Sequence, residues 1–232
     1  MGSLLKAEYI SHQGDDLAVV QAARVSFDKT SDWEHRIVDT GEGGDDWYYE
    51  RYLSERDTKL INYLAKHDHF TPFCHNSISL RMSAPIPIAR QAYKHKVGFV
   101  ENEESRRYIS SRPELFVPEY FRSKPEGSIK QGSGGEHIRS IYWLEEYNWH
   151  CTHMVELYEM MVDDGVCPEQ ARFILPQGVE VNWIWTGNLF AFANFYKKRT
   201  DPNAQVEIQQ LARQVATIVE PLFPVSWRAL VS

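Results

Sequence analysis

A chain of 232 residues with 43% hydrophobic and 13% aromatic residues can build one sizeable core and is not a disordered or fibrous chain. Its formal charge of −7 argues against a general nucleic-acid binder, because neutralising phosphates needs a cationic surplus. Cys74, Cys151 and Cys167 are widely spaced and form no CxxC pair, so neither a disulfide framework nor a zinc ribbon is indicated and a reducing, cytoplasmic compartment is expected.

The opening MGSLLKAEYISHQGDD has no apolar signal core, and no stretch approaches the roughly 18 apolar residues of a membrane span. A soluble protein is expected. Residues 4–11 read as a short strand. Asp15 or Asp16 caps a helix through LAVVQAARVSF, with Leu17, Val20, Ala23 and Phe27 on one face. Lys29 to Asp46 is polar and glycine-rich, the composition of a surface loop or insertion. Helical spacing returns over Tyr48 to His67, and HDHFTPFCH is a turn broken by Pro72.

His75 to Ser83 alternates as a strand, with Ile78, Leu80 and Met82 on one face. Pro85 and Pro87 permit a helix from Ile86 that carries ARQAYKHK. Lys124 to Glu136 reads as a flexible loop, and a helix runs from about His137 to Asp164 with Ile141, Leu144, Tyr147, Met154, Leu157 and Met161 near helical spacing. PEQARFIL is a further helix. VEVNWIW is a strand with Val179, Val181, Trp183 and Trp185 on one face. Asn188 to Arg199 and Asn203 to Val219 are two more helices. Strands and helices mix without a βαβ rhythm, which predicts an α+β single domain, with surface insertions near 29–50 and 122–140. No Gly-rich dinucleotide fingerprint occurs.

Three groups of residues can carry chemistry. In KHKVGFVENEESRRY, cations at a helix end are an ordinary response to the macrodipole. The same segment can also serve an anionic ligand, since Arg90, Arg107 and Ser105 supply forks and a hydroxyl. His67, His69 and His75 have a spacing that could hold zinc or iron, as in a metal-dependent hydrolase. Arg172, Asn188, Asn194 and Arg199 form the third group; helical spacing turns Asn188 and Arg199 to nearly one side. A nucleic-acid-binding module using KHK and RRY with nearby aromatics is a further alternative.

The order of residue types over 90–108 resembles the signature of the flavin-dependent thymidylate synthases, RHR, a spacer, then S-x-NE-x-S-x-RY. NEESRRY, residues 102–108, fits its second half. Lys94 and Lys96 replace two arginines around His95, the spacer is one residue longer, and Phe99 stands about where a serine is usual. AARVSF, HDHFTPFCH (Cys74 for a glutamate), PIPIARQ, EQARFILP, WTGNLFAFANFYKKR and NAQVEIQ are similar to further blocks of the family, in order.

The resemblance implies an α+β fold with a mainly antiparallel sheet flanked by helices. It also implies a methyltransferase that converts dUMP to dTMP, with FAD as cofactor and NADPH and methylenetetrahydrofolate as co-substrates. It further implies a homotetramer with shared sites, with no nucleic-acid or membrane partner and no metal. For dUMP it implies Gln91, Lys94, Glu103, Glu104, Ser105, Arg106, Arg107, Arg172 and Arg199, with Arg199 the catalytic cation against the uracil N3. For FAD it implies Thr71, Lys94, His95, Lys96, Glu103, Asn188 and Asn194, with Ser26 and His69 beside them. Phe190 and Asn203 stand where the family often has arginine and histidine, so no contact is carried to them. The three thiols are read as packing or incidental residues.

Overall fold

The computed structural model describes residues 5–39, 47–109, 111–127 and 132–232. Its centre is a pair of antiparallel strands, β4 (Ser77–Pro85) and β6 (Glu180–Gly187). Alternation places Ile78, Leu80 and Met82 of the first in the core, with Val181, Trp183 and Trp185 of the second. The outer strands β1 (Lys6–Gln13) and β5 (Phe99–Glu103) complete an antiparallel sheet in the order β1-β4-β6-β5. Strand β5 occupies what the sequence reads as a mere connector within the signature segment. Phe99 explains the change: its ring stacks on Trp185 at 4.1 Å and meets Phe192 edge-on. An aromatic there fills the core where a serine could not.

Helices cover this sheet. Helix α1 (Asp16–Arg24) is capped by Asp15, whose side chain accepts from the Ala18 N–H. Asp16, Val19, Val20 and Arg24 are its buried stripe. Phe27, expected on that stripe, is 73% exposed. The chain tightens into a 3-10 turn over Val25–Phe27, and this rotates the ring off the helix face. Helix α2 spans Glu55–Lys66, not the whole of Tyr48 to His67. Its start is set by Ser54, which caps the Asp57 N–H.

The preceding aromatics lie in β3 (Trp47–Tyr52), paired with β2 (Glu34–Asp39) as a two-stranded ribbon. Part of the expected surface loop is therefore sheet, and the aromatic-rich partner strand WYYERY favours that pairing. Residues 40–46 of that loop, 128–131 of the later one and the first four residues lie outside the described chain.

Helix α3 (Ile86–Tyr93) begins at the two prolines as expected. The long helix α4 (Ser140–Asp163) buries Cys151, Val155 and Tyr158, while Ile141 and Met154, expected on its apolar face, are exposed. Helix α5 is the single turn Pro168–Ala171, continued by a 3-10 turn from Arg172 to Ile174. Helices α6 (Leu189–Arg199), α7 (Val206–Val219) and α8 (Pro224–Val231) follow. Asn203 precedes α7 in a turn with Asp201. The sequence reading does not contain α8, which buries Trp227 and docks on α2 and α6. No helix among the described residues is long and apolar enough to cross a membrane.

Candidate active site

The carboxyl end of α3 meets the carboxyl end of α6. Arg199, in the last turn of α6, donates from Nε to His95 Nε2 at 2.8 Å and from its terminal nitrogen to the Gln91 carbonyl at 2.9 Å. Since Arg199 is only a donor, His95 Nε2 must be the unprotonated nitrogen. Burial, then the charges of Arg199 and Lys198, push the His95 pKa down to about 4. Burial also lowers that of Arg199, but a guanidinium remains cationic in proteins. Gln91 donates to Gln205 Oε1 at 2.7 Å, which locks its side-chain amide to the start of α7. The sequence reading names no role for Gln205; its only signal is its place in NAQVEIQ.

The signature then turns back along β5. Lys94 is exposed at the cap of α3, whereas Lys96 forms an ion pair with Glu101. Glu103 closes β5 beside Tyr93, whose hydroxyl pKa is raised by burial and by that carboxylate. Glu104 donates its N–H to the Asn182 carbonyl at 2.9 Å and accepts from the Asn182 amide at 3.1 Å. Ser105 Oγ accepts from the Arg107 N–H at 3.4 Å. Arg106 donates to the Ser111 carbonyl at 2.6 Å. Arg107 pairs at 2.8 Å with Glu169 on α5, the short helix that leads into the 3-10 turn begun by Arg172. Asn182 is a support that no motif marks, whereas Glu169 opens the EQARFILP block.

The HDHFTPFCH turn packs against α1 and α6. Thr71 begins a 3-10 turn, with His69 exposed before it. Phe70 packs on Phe190 of α6 at 5.3 Å between ring centroids. Ser26 sits in the 3-10 turn after α1. Asp28 and Asp68 are the only non-glycine residues with positive φ among the described residues; the first follows the 3-10 turn after α1 and the second lies within the HDHFTPFCH turn. The rings of His67 and His69 gather on Tyr63, at 4.3 and 5.9 Å. Among the described residues no three His, Cys, Asp or Glu side chains converge as a metal site. Burial pushes the Cys74 and Cys151 thiols up, away from the thiolate a cysteine nucleophile needs.

Asn188 is the N-cap of α6: its Oδ1 accepts from the Ala191 N–H at 2.8 Å. That leaves its amide N–H groups for another acceptor. Gly98 packs against that amide with φ +80, so close that a Cβ would lie 2.7 Å from Nδ2. Asn194, on the same helix, is half-buried. These segments thus offer amide donors, a fixed cation and a motif rich in arginine. Glu104 Oε1 and Arg106 Nε are buried without a hydrogen-bond partner. Such unmet polar atoms fit a ligand that is itself a donor and acceptor.

Residues 8–225 match the family model described as thymidylate synthase complementing protein. A flavin-dependent thymidylate synthase of Thermus thermophilus is 34% identical over 225 residues, covering 95% of this chain and 73% of that one. That of Kosmotoga olearia is 33% identical over 227 residues, covering 94% and 86%. In structure, the UMP/dUMP methylase PolB of Streptomyces cacaoi, bound with 5-Br dUMP, superposes with a TM-score of 0.80 at 29% identity, over 98% of this chain and 94% of that one. The four-stranded antiparallel sheet flanked by helices is a fold that this chain shares with that methylase. The chain belongs to the flavin-dependent thymidylate synthase family.

Proposed function

We propose that this protein converts dUMP to dTMP with FAD as its flavin, methylenetetrahydrofolate as carbon donor and NADPH as reductant. A methylene-level carbon becoming a methyl group needs two electrons. NADPH supplies them, and tetrahydrofolate and NADP leave. Bound flavin supplies the hydride-transfer chemistry that amino-acid side chains lack.

The chain's own residues bind and orient. Arg199 carries the reading: two hydrogen bonds fix its guanidinium at the meeting of α3 and α6. A preorganised cation there stabilises uracil with negative charge at N3 and costs no reorganisation during reaction. Gln91, Lys94, Glu103, Glu104, Ser105, Arg106, Arg107 and Arg172 surround the nucleotide in this reading, with the arginines against its phosphate. Thr71, Lys94, His95, Glu103, Asn188 and Asn194 hold the flavin, with Ser26 and His69 at its edge. Lys96 is assigned to it too, after release from Glu101.

A homotetramer with shared sites is part of the proposal. Its support is the outer face of α4, where Ile141, Trp149 and Met160 are 73%, 64% and 65% exposed, an apolar surface of the kind that subunits cover. The test is the visible spectrum of the purified protein. A flavin band bleached by NADPH without oxygen, with dTMP formed from dUMP, is expected. A protein unable to bind flavin overturns the proposal.

A further inference from the structure

Strand β5 ends at Glu103, paired with Trp183 of β6, and the chain then leaves the sheet as the loop Ser105 to Arg107. The sheet reaches one residue further, through Asn182. Its carbonyl accepts from the Glu104 N–H at 2.9 Å, and its side-chain Nδ2 donates to Glu104 Oε2 at 3.1 Å. The other carboxylate oxygen, Oε1, is buried and has no hydrogen-bond partner among the described residues, so Asn182 supplies the hold on this side chain. The far end of the Asn182 amide is held in turn, since Oδ1 accepts from Ser83 Oγ at 2.7 Å. Ser83 lies directly across the strand pair on β4 and is buried.

The rest of the loop is tied mainly to itself. From Ser105 the chain turns back, with the Tyr108 N–H on the Ser105 carbonyl at 3.0 Å. Arg106 donates to the Ser111 carbonyl, further along the same stretch. Arg107 does reach α5, but its pair with Glu169 is exposed on both sides, at 44% and 55%, and such pairs contribute little. The angle at which the loop departs is therefore set at residue 104.

We infer that Asn182 is a positioning residue for the nucleotide: clamped by Ser83, it fixes Glu104 and so aims Ser105, Arg106 and Arg107 at the phosphate. The inference rests on the functional reading above, which sets these residues against dUMP. For packing alone, an apolar side chain would serve the half-buried strand position 182 as well. The amide is needed because it accepts from one neighbour and donates to the other. Hydrogen bonds of this kind add modestly to stability, whereas a binding group that is slightly misplaced loses much of its contact.

The test uses full-length, flavin-loaded protein, with dUMP titrated by calorimetry and KM and kcat measured for dTMP formation. Asn182→Asp keeps the side chain's shape but sets a carboxylate against Glu104. It should weaken dUMP binding roughly tenfold and raise KM to match, with kcat within about twofold because the phosphate does not react. Retained flavin shows that the variant is folded. E104Q/N182D exchanges the donor and acceptor ends and should recover most of the dUMP affinity, so that the two changes together cost less than their separate costs summed. Strictly additive costs, or native dUMP affinity in Asn182→Asp, overturn the inference alone. Should Asn182→Asp not fold, Ser83→Ala removes only the clamp behind Asn182. Weaker dUMP binding than in Ser83→Thr is then expected, and equal binding in the two overturns the inference. A wild type that loads flavin but binds no dUMP overturns the functional reading and this inference with it.

Discussion

Arg199 donates to Nε2 of His95 at 2.8 Å, joining positions 104 residues apart. The signature histidine and the candidate catalytic arginine are therefore one unit. Arg199→Ala should lower dTMP formation by roughly two to three orders of magnitude, as loss of a preorganised charge-stabilising donor does, while flavin remains bound. Single-turnover assays under NADPH check this. Unchanged turnover would show that the guanidinium is not where charge develops.

The same contact makes a pH prediction. In the folded chain His95 is held neutral, with a pKa of about 4, below the usual 6.5 of an unfolded histidine. Between those values the unfolded chain binds the extra proton, so stability falls as pH drops from about 6.5 towards 4 and is fully present above that range. Urea unfolding across pH 4 to 7 should show this slope in wild type and a shallower one in His95→Gln. Equal slopes would mean that His95 titrates normally.

Arg24 and Asp57 form the buried ion pair beneath the end of α1, with Nε of Arg24 2.9 Å from the carboxylate. Burial pushes the Asp57 pKa up, but Arg24, Ser54 and Ser31 outweigh it and hold the group below its ordinary range. Asp57→Asn leaves Arg24 without its counter-charge and should cost about 3 kcal/mol of stability, read as a lower urea midpoint. A cost near zero would show that water already solvates Arg24.

Gly98→Ala should be destabilising by about 2 kcal/mol, from positive φ and a clash together. The new Cβ would meet Asn188 Nδ2 at 2.7 Å and the Ala191 Cβ at 2.9 Å. Because Asn188 is assigned to flavin, the variant should also bind FAD more weakly. A variant with lowered thermal stability but native FAD affinity would separate the cap from the ligand role.

Ser83 contacts both Glu180 and the Asn182 Oδ1. The Ser83 hydroxyl is the donor in each contact, so its one proton is divided between the two oxygens. Burial, the largest influence, raises the Glu180 pKa with help from Glu114 and Glu104, and outweighs the hydrogen bond from Ser83, which lowers it. Stability from this group is complete below the unfolded glutamate pKa and is lost as pH rises through the folded one. Glu180→Gln, which donates at every pH, should remove that loss and raise the melting temperature at pH 8 relative to wild type. A lower melting temperature there would show that the carboxylate form is native.

Much of this was legible in the sequence because local pattern and tertiary role coincide. Ile78, Leu80 and Met82 alternate, and the strand they predict is the central one. The signature and the later blocks marked Arg199, His95 and Gln91, which the fold joins. What was illegible depends on partners distant in sequence. Phe99 reads as a mismatch until Trp185 stacks on it. Tyr48 to Tyr52 have helical spacing, but pairing with residues 34–38 makes them strand. Gln205 and Asn182 sit in no charged cluster, and only their hydrogen bonds to Gln91 and Glu104 reveal them.

The central pairing of β4 with β6 joins Ile78 to Gly187 and Pro85 to Glu180. Closing so long an intervening chain is entropically costly and slow. During synthesis the first half of the sheet must therefore wait, with the apolar face of β4 uncovered, until β6 and α6 emerge. The site and the core mature in the same late step, and a chain stalled before β6 carries both an unfinished active centre and a surface prone to aggregation.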